Sequence, residues 1–142
     1  MYEYKRYSKN GEECAIGRAA ILADYELAFT KYSSGRNGGV ADIVPKLGCQ
    51  VEGIVFEVED FKGLDRREGV HSGLYKRIPV ELVLSQSGER IYGETYTVVE
   101  KAAKEVIPSV DYMNIILDGA RELSEEYQNV LKERFKKFRE TL

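Results

Sequence analysis

A chain of 142 residues can bury one sizeable core and is short for two comfortable domains, so a single domain over residues 1–142 is expected. Hydrophobic residues at 43% and charged residues at 32%, with 21 Lys and Arg against 24 Asp and Glu, match a globular protein and exclude fibrous and disordered classes. A formal net charge of -3 lacks the basic footprint that phosphate neutralisation needs, so nucleic acid is not an expected partner.

The longest apolar run, Ala19 to Ala23, falls far short of a bilayer span, and no membrane helix is expected. Met1 to Asn10 mixes Tyr, Lys, Arg and Glu without an apolar stretch, so no secretory signal is read there and a cytoplasmic address follows. Cys14 and Cys49 are the only thiols, without C-x-x-C spacing, and His71 is the only histidine. That inventory does not compose a tetrahedral zinc site and leaves little for a histidine-based triad. Ten Tyr and five Phe with no Trp give the chain many rings with polar tips, suited to a pocket for a small polar ligand.

Taken in chain order, Ala15 to Leu22 and Tyr25 to Tyr32 read as two strands of a hairpin turned at Ala23-Asp24. Ser33 to Gly39 is a dense loop signal, and its Gly35-Arg36-Asn37-Gly38-Gly39 run suits a hairpin loop better than an anion cradle, because the strand-to-helix setting is lacking. Val40 to Val44 resumes as a short strand stopped by Pro45. Gln50 to Glu59 is apolar enough for both faces to be covered. Asp60 to Gly69 changes to a short helical turn, with Phe61 and Leu64 one turn apart and Gly69 as the stop.

Tyr75 to Leu84 and Arg90 to Val99 form a second hairpin around Ser85-Gln86-Ser87-Gly88-Glu89. After Pro108 the pattern turns helical, with Tyr112, Ile115, Ile116 and Gly119 on one face. Ser124 opens a last helix whose apolar stripe is Tyr127, Val130, Leu131, Phe135 and Phe138, with basic residues crowding its later turns. Strands followed by terminal helices define an α+β domain, and many short strands favour a curved or closed sheet that hides its edges.

Chemistry concentrates in Leu64-Asp65-Arg66-Arg67-Glu68-Gly69-Val70 and the adjoining His71-Ser72-Gly73-Leu74-Tyr75, a connection between two strong strands. Two carboxylates one helical turn apart, flanked by glycine and apolar residues, suit a partly desolvated proton-transfer group. The same residues also suit a plain solvated turn in which Asp65 and Glu68 balance Arg66 and Arg67.

This stretch resembles the gamma-glutamylcyclotransferase family, in which a Leu-Asp-x-x-Glu-Gly segment precedes Ser-Gly-x-Tyr. The resemblance runs from about Ile16 to Leu131 and takes in Ile16-Gly17-Arg18-Ala19, Tyr25-Glu26-Leu27-Ala28-Phe29, Gly38 to Ile43, Val51 to Phe56, Tyr96, Ser109-Val110-Asp111-Tyr112 and Gly119-Ala120. It implies a small mixed β-barrel with flanking and C-terminal helices and a cavity at its mouth. It also implies an intramolecular reaction that needs no metal and no cofactor: the α-amine of a γ-glutamyl amino acid or γ-glutamyl amine closes onto its own γ-carbonyl, giving 5-oxoproline and a free amine.

By the same resemblance Glu68 is the catalytic acid/base, and Tyr75, Tyr96 and Tyr112 fall at substrate-binding positions. Family members open on Tyr-Gly-Ser-Asn, whose backbone and following helix receive the substrate carboxylate. The counterpart here is Tyr4-Lys5-Arg6-Tyr7-Ser8-Lys9-Asn10, which assigns Tyr7, Ser8, Lys9 and Asn10 to substrate binding. Ser8 stands for the glycine and Lys9 for the serine, and only Gly11 to Ala15 separate Asn10 from the next strand. Two alternatives follow from that departure. One is a non-catalytic metabolite-binding or interaction module. The other is a homodimer whose exchanged amino-terminal segments complete each site.

Overall fold

The computed structural model describes residues 2–4 and 17–142. Strands β1 (Tyr2–Tyr4), β2 (Arg18–Ser33) and β3 (Gly38–Val58) lead to helix α1 (Lys62–Arg67). Strands β4 (Tyr75–Leu84) and β5 (Arg90–Val98) follow, then α2 (Val110–Gly119), a 3₁₀ turn (Ala120–Glu122) and α3 (Glu125–Glu140). The chain divides into two compact units, one holding the described residues up to Glu26 with Ile43–Val99, the other holding Leu27–Asp42 with Glu100–Leu142. Strands β2 and β3 are long enough for each to contribute to both.

The α+β class is as the sequence implies. In the first unit β4 and β5 pair antiparallel without a break from Tyr75↔Val98 to Val83↔Arg90, and β2 joins β4 at Ala20↔Leu84 and Ile21↔Val83. The strand order is β1-β3-β2-β4-β5. The long strands β2 to β5 make an antiparallel sheet that does not close on itself. The ring closes only through β1, which runs parallel to β3 at Tyr2↔Phe56 and meets β5 at Tyr2↔Glu94. The expected barrel is met to that extent: closure is the work of one three-residue strand.

Alternation decides which face is buried. On β4, Val80, Leu82 and Leu84 are buried while Pro79 and Glu81 are exposed, the period of two that a half-covered strand requires. Ala20, Leu22, Val51, Val55 and Ile91 complete that core, with Tyr25, Ile43 and Ile78 at its margin.

Two expectations are corrected here. The described part of the segments read as a hairpin around Ala23-Asp24 is one strand, β2, Ala15 and Ile16 lying outside the described residues, and Asp24 bends it by adopting a φ of 62°. Its carboxylate accepts the Gly48 N–H at 3.0 Å, so the local turn signal is real but serves a bend without reversing the chain. Likewise Pro45 does not stop a strand: β3 runs through it, and because Pro45 is exposed its missing N–H leaves no buried acceptor behind.

The second unit is built around Phe29, fully buried between Met113, Ala120, Leu131 and Phe135. Its ring meets Phe135, Phe138 and Tyr112 edge-on at centroid distances of 6.0, 5.6 and 6.4 Å. Residues 100–108 carry no helix or strand yet are strapped down by Ala102 N–H to Thr30 O at 2.7 Å, Val106 N–H to Phe29 O at 2.8 Å, and Gly39 N–H to Ile107 O at 3.0 Å. The glycine is obligatory, since a Cβ at position 39 would stand 1.9 Å from the Val106 carbonyl oxygen. Gly38-Gly39 thus marks a close backbone approach beside the Ser34–Asn37 turn, in keeping with a hairpin loop.

The Asp42 side chain is fully buried in the same unit and receives Thr30 Oγ1 at 2.7 Å and Lys101 Nζ at 2.6 Å. Ser124 caps α3 as its sequence position implies, accepting the Tyr127 N–H at 3.1 Å, and Ser109 caps α2 in the same way. Val130 and Ile115, expected on the apolar faces, are exposed. Val130 lies at the edge of the arc centred on Leu131 and Phe138, and one turn on along the same margin Arg134 lays its guanidinium 5.7 Å from the Phe29 and Phe138 ring centroids.

Phe135→Ala, which empties the middle of this aromatic cluster, is expected to cost about 3–5 kcal/mol of unfolding free energy. Urea denaturation monitored by far-UV circular dichroism measures it, and a loss within experimental error would remove the cluster as the core of this unit.

Candidate active site

The segment between β3 and β4 folds by rules its residues carry. Asp60 Oδ1 accepts the Lys62 N–H at 3.0 Å and starts the turn, and Asp65 N–H to Phe61 O at 2.7 Å begins the helical ladder. The end is a Schellman motif: Gly69 takes a φ of 67°, its N–H reaches Arg66 O at 3.2 Å, and the Val70 N–H reaches Asp65 O at 2.9 Å. Glu68 is therefore the C-cap residue of α1, with its own N–H on Leu64 O at 2.9 Å. Ser72, Gly73 and Leu74 then turn back onto Gly69 and Val70 before β4 begins.

Asp65 is the hub of the side-chain chemistry. Arg77 Nη1 donates to both its oxygens at 3.0 and 2.9 Å, and the Tyr96 hydroxyl donates to Oδ1 at 2.6 Å. Arg77 Nε donates to Glu94 Oε1 at 3.1 Å, and the guanidinium carbon lies 4.1 Å from the centroid of the buried Phe61 ring. Sheet register brings these groups together. Arg77 stands opposite Tyr96 and Pro79 opposite Glu94, so the three functional side chains share the face of β4–β5 turned away from Val80 and Leu82.

The electrostatics divide the two carboxylates of the motif. Asp65 is served by a guanidinium and a phenol, whereas Glu68 is half-buried and its carboxylate has no hydrogen bond to another described residue. Loss of hydration pushes the Glu68 carboxyl above its ordinary value of 4.5, and the neighbouring Arg67 charge opposes this without cancelling it. Tyr96 is pushed well above the usual phenol range, first by burial and then by its bond to the Asp65 carboxylate and that group's charge, with Arg77 pulling the other way. Burial works against the Arg77 charge, but Glu94 and Asp65 outweigh it and hold the guanidinium protonated. The arrangement provides one carboxylate kept in place by donors and a second one, a helical turn later, with raised proton affinity.

The residues singled out from sequence fall into separate places. Tyr96 is joined to Asp65, three positions before Glu68. Tyr75 opens β4 opposite Val98 and is half-buried. Tyr112 belongs to the second unit, where its hydroxyl accepts the Ala41 N–H at 3.0 Å and its ring carries the Arg36 guanidinium 5.5 Å from the centroid. Tyr7, Ser8, Lys9 and Asn10 lie outside the described residues. His71 is exposed. Sequence reasoning missed Arg77 and Glu94; the only signal is their place on adjacent strands, and it becomes usable once the β4–β5 register is known.

The fold and the short helix it carries define a class of small α+β proteins with a carboxylate-bearing turn tied to an antiparallel sheet. Residues 50–131 match the AIG2-like family, and the chain belongs to that family. It is 36% identical over 121 residues to the gamma-glutamylcyclotransferase of Bos taurus, covering 79% of this chain and 62% of that protein. To the Homo sapiens gamma-glutamylcyclotransferase it is also 36% identical over 121 residues, covering 80% and 63%. The chain thus spans less than two thirds of the length of these curated relatives. A solved gamma-glutamyl cyclotransferase structure superposes with a TM-score of 0.76 at 34% identity, over 84% of this chain and 74% of that one.

A carboxyl whose affinity for a proton is raised by folding lowers stability as pH rises, because above its ordinary range the native state binds more protons than the unfolded chain. Glu68→Gln is therefore expected to gain stability relative to the parent protein as pH rises through and beyond the ordinary carboxylate range. Urea titrations at about pH 4 and about pH 7 measure the difference. A stability difference independent of pH would contradict a desolvated Glu68.

Proposed function

We propose that this chain cyclises γ-glutamyl amino acids or γ-glutamyl amines to 5-oxoproline, with Glu68 as the proton-transfer group. The observation that carries the reading is that residues 50–131, the turn from Leu64 to Tyr75 included, match the AIG2-like family in a chain 36% identical over 121 residues to relatives named gamma-glutamylcyclotransferase. The raised proton affinity and partial burial of Glu68 support it.

In this reaction the substrate's α-nitrogen adds to its own γ-carbonyl carbon, forming the C–N bond of the five-membered ring, and the C–N bond to the departing amine breaks. The nucleophile must lose a proton and the leaving nitrogen must gain one. A single carboxylate performs both transfers if it takes the first proton and returns it, leaving the enzyme unchanged after each turnover. A group with proton affinity raised toward neutrality is better suited to that double duty than an ordinary surface glutamate, which gives up its proton too readily to hold it between the two steps. Because both reacting groups belong to one molecule, the protein's other task is to hold a folded conformer. The phenol of Tyr75, at the start of β4, is a candidate for that binding, as are the amino-terminal Tyr7, Ser8, Lys9 and Asn10.

Glu68→Gln is expected to keep the fold and lower 5-oxoproline release by about a hundredfold or more, the span of a general acid/base. Mass spectrometry of product from a panel of γ-glutamyl compounds reads it. Turnover equal to that of the parent protein would remove Glu68 from the mechanism.

A further inference from the structure

Helix α1 has six residues, and at its start Phe61 offers no side-chain cap. A helix of that length has no stability of its own, because the first turn fixes more dihedrals than its hydrogen bonds repay. Something outside it must fix where its last residue points. The buried Phe61 ring just before it and its Asp65 carboxylate both tie it to the sheet, and the Arg77 guanidinium meets both. Glu94 holds Nε from one side, the Phe61 ring lies against the guanidinium plane, and Nη1 is left aimed at Asp65. Tyr96, directly opposite Arg77 in the ladder, closes the clamp on the same carboxylate. From Asp65 to Glu68 the backbone has no slack, since the Schellman bonds from Gly69 and Val70 lock the turn between them.

We propose that Arg77 is the positioning residue of Glu68: by gripping Asp65 and Phe61 from β4, with Glu94 and Tyr96 bracing it, the guanidinium fixes the short helix whose C-cap is the acid/base. The inference rests on the reading of Glu68 given above. Lysine does not replace arginine here, because a single ammonium does not meet both oxygens of Asp65, donate to Glu94 and stack on Phe61 at once.

The test is a double-mutant cycle on the full chain, with steady-state 5-oxoproline release as readout and melting curves as a check on folding. Arg77→Lys is expected to lower kcat by about tenfold to a hundredfold, the cost of displacing a reacting group by roughly an ångström, with KM little changed. In a Glu68→Gln background the same substitution is expected to cost nothing further, since no acid/base remains to be aimed. Glu94→Gln, a milder change on the same guanidinium, is expected to show a smaller fall in kcat that also vanishes in that background, and it carries the test if Arg77→Lys does not fold. An equal loss in both backgrounds, or KM rising in step with the fall in kcat, would show a merely structural role and overturn the proposal. Parent-level kcat in both variants while Glu68→Gln is depleted would overturn the positioning role alone. Parent-level turnover in Glu68→Gln would remove the reading of Glu68 and the positioning role with it.

Discussion

A carboxylate at the end of a six-residue helix is only as well placed as the side chains that pin the helix down. In this protein the pin is one guanidinium, Arg77, shared between Asp65, Glu94 and the face of Phe61. Much of the first unit can be understood as what that arrangement requires. Arg77 and Tyr96 must be cross-strand partners and Glu94 must sit diagonally, so β4 and β5 must pair in one register only. A slip of β4 by one residue would turn Arg77 into the core and put Val80 and Leu82 on the opposite face, so the core that fixes the register also fixes the clamp.

The same arrangement separates two carboxylates that look alike in sequence. Asp65 and Glu68 lie one turn apart, but among the described residues the donors go to Asp65, while Glu68 is partly buried beside the Arg67 charge. Desolvation without compensating hydrogen bonds is the simplest way to raise the proton affinity of a carboxyl. A fixed position and a raised proton affinity are thereby divided between neighbours, a division that follows from the direction each side chain takes off the helix. In the second unit Asp42 plays the structural part more completely, buried with Thr30 and Lys101 on its oxygens.

Much of this was legible in the sequence where local chemistry and periodicity agreed. The β4–β5 hairpin was readable because two runs rich in β-branched, aromatic and aliphatic residues flank a Ser-Gln-Ser-Gly-Glu turn. The start of α3 was readable from Ser124, and the end of α1 from Gly69. Ala23-Asp24 was misread because a positive φ at one residue serves a bend and a reversal equally well, and only the ladder decides between them. Pro45 was misread because its cost depends on whether its missing N–H faces a partner strand or open water. The clamp itself was out of reach: Arg77 and Glu94 carry no motif, and their meaning arises from register across strands. Glu68 was singled out through the resemblance of its segment to a family, since the pattern alone favoured a solvated turn.

In the proposed reaction Glu68 meets the amine of a γ-glutamyl group. A crystal structure with a non-cyclisable γ-glutamyl analogue that keeps its α-amine tests this most directly. A Glu68 carboxylate oxygen is expected about 2.6–3.2 Å from the analogue's α-nitrogen, the reach a proton-transfer group needs. An analogue held elsewhere on the protein, with its α-amine in contact with no atom between Phe61 and Tyr75, would contradict it.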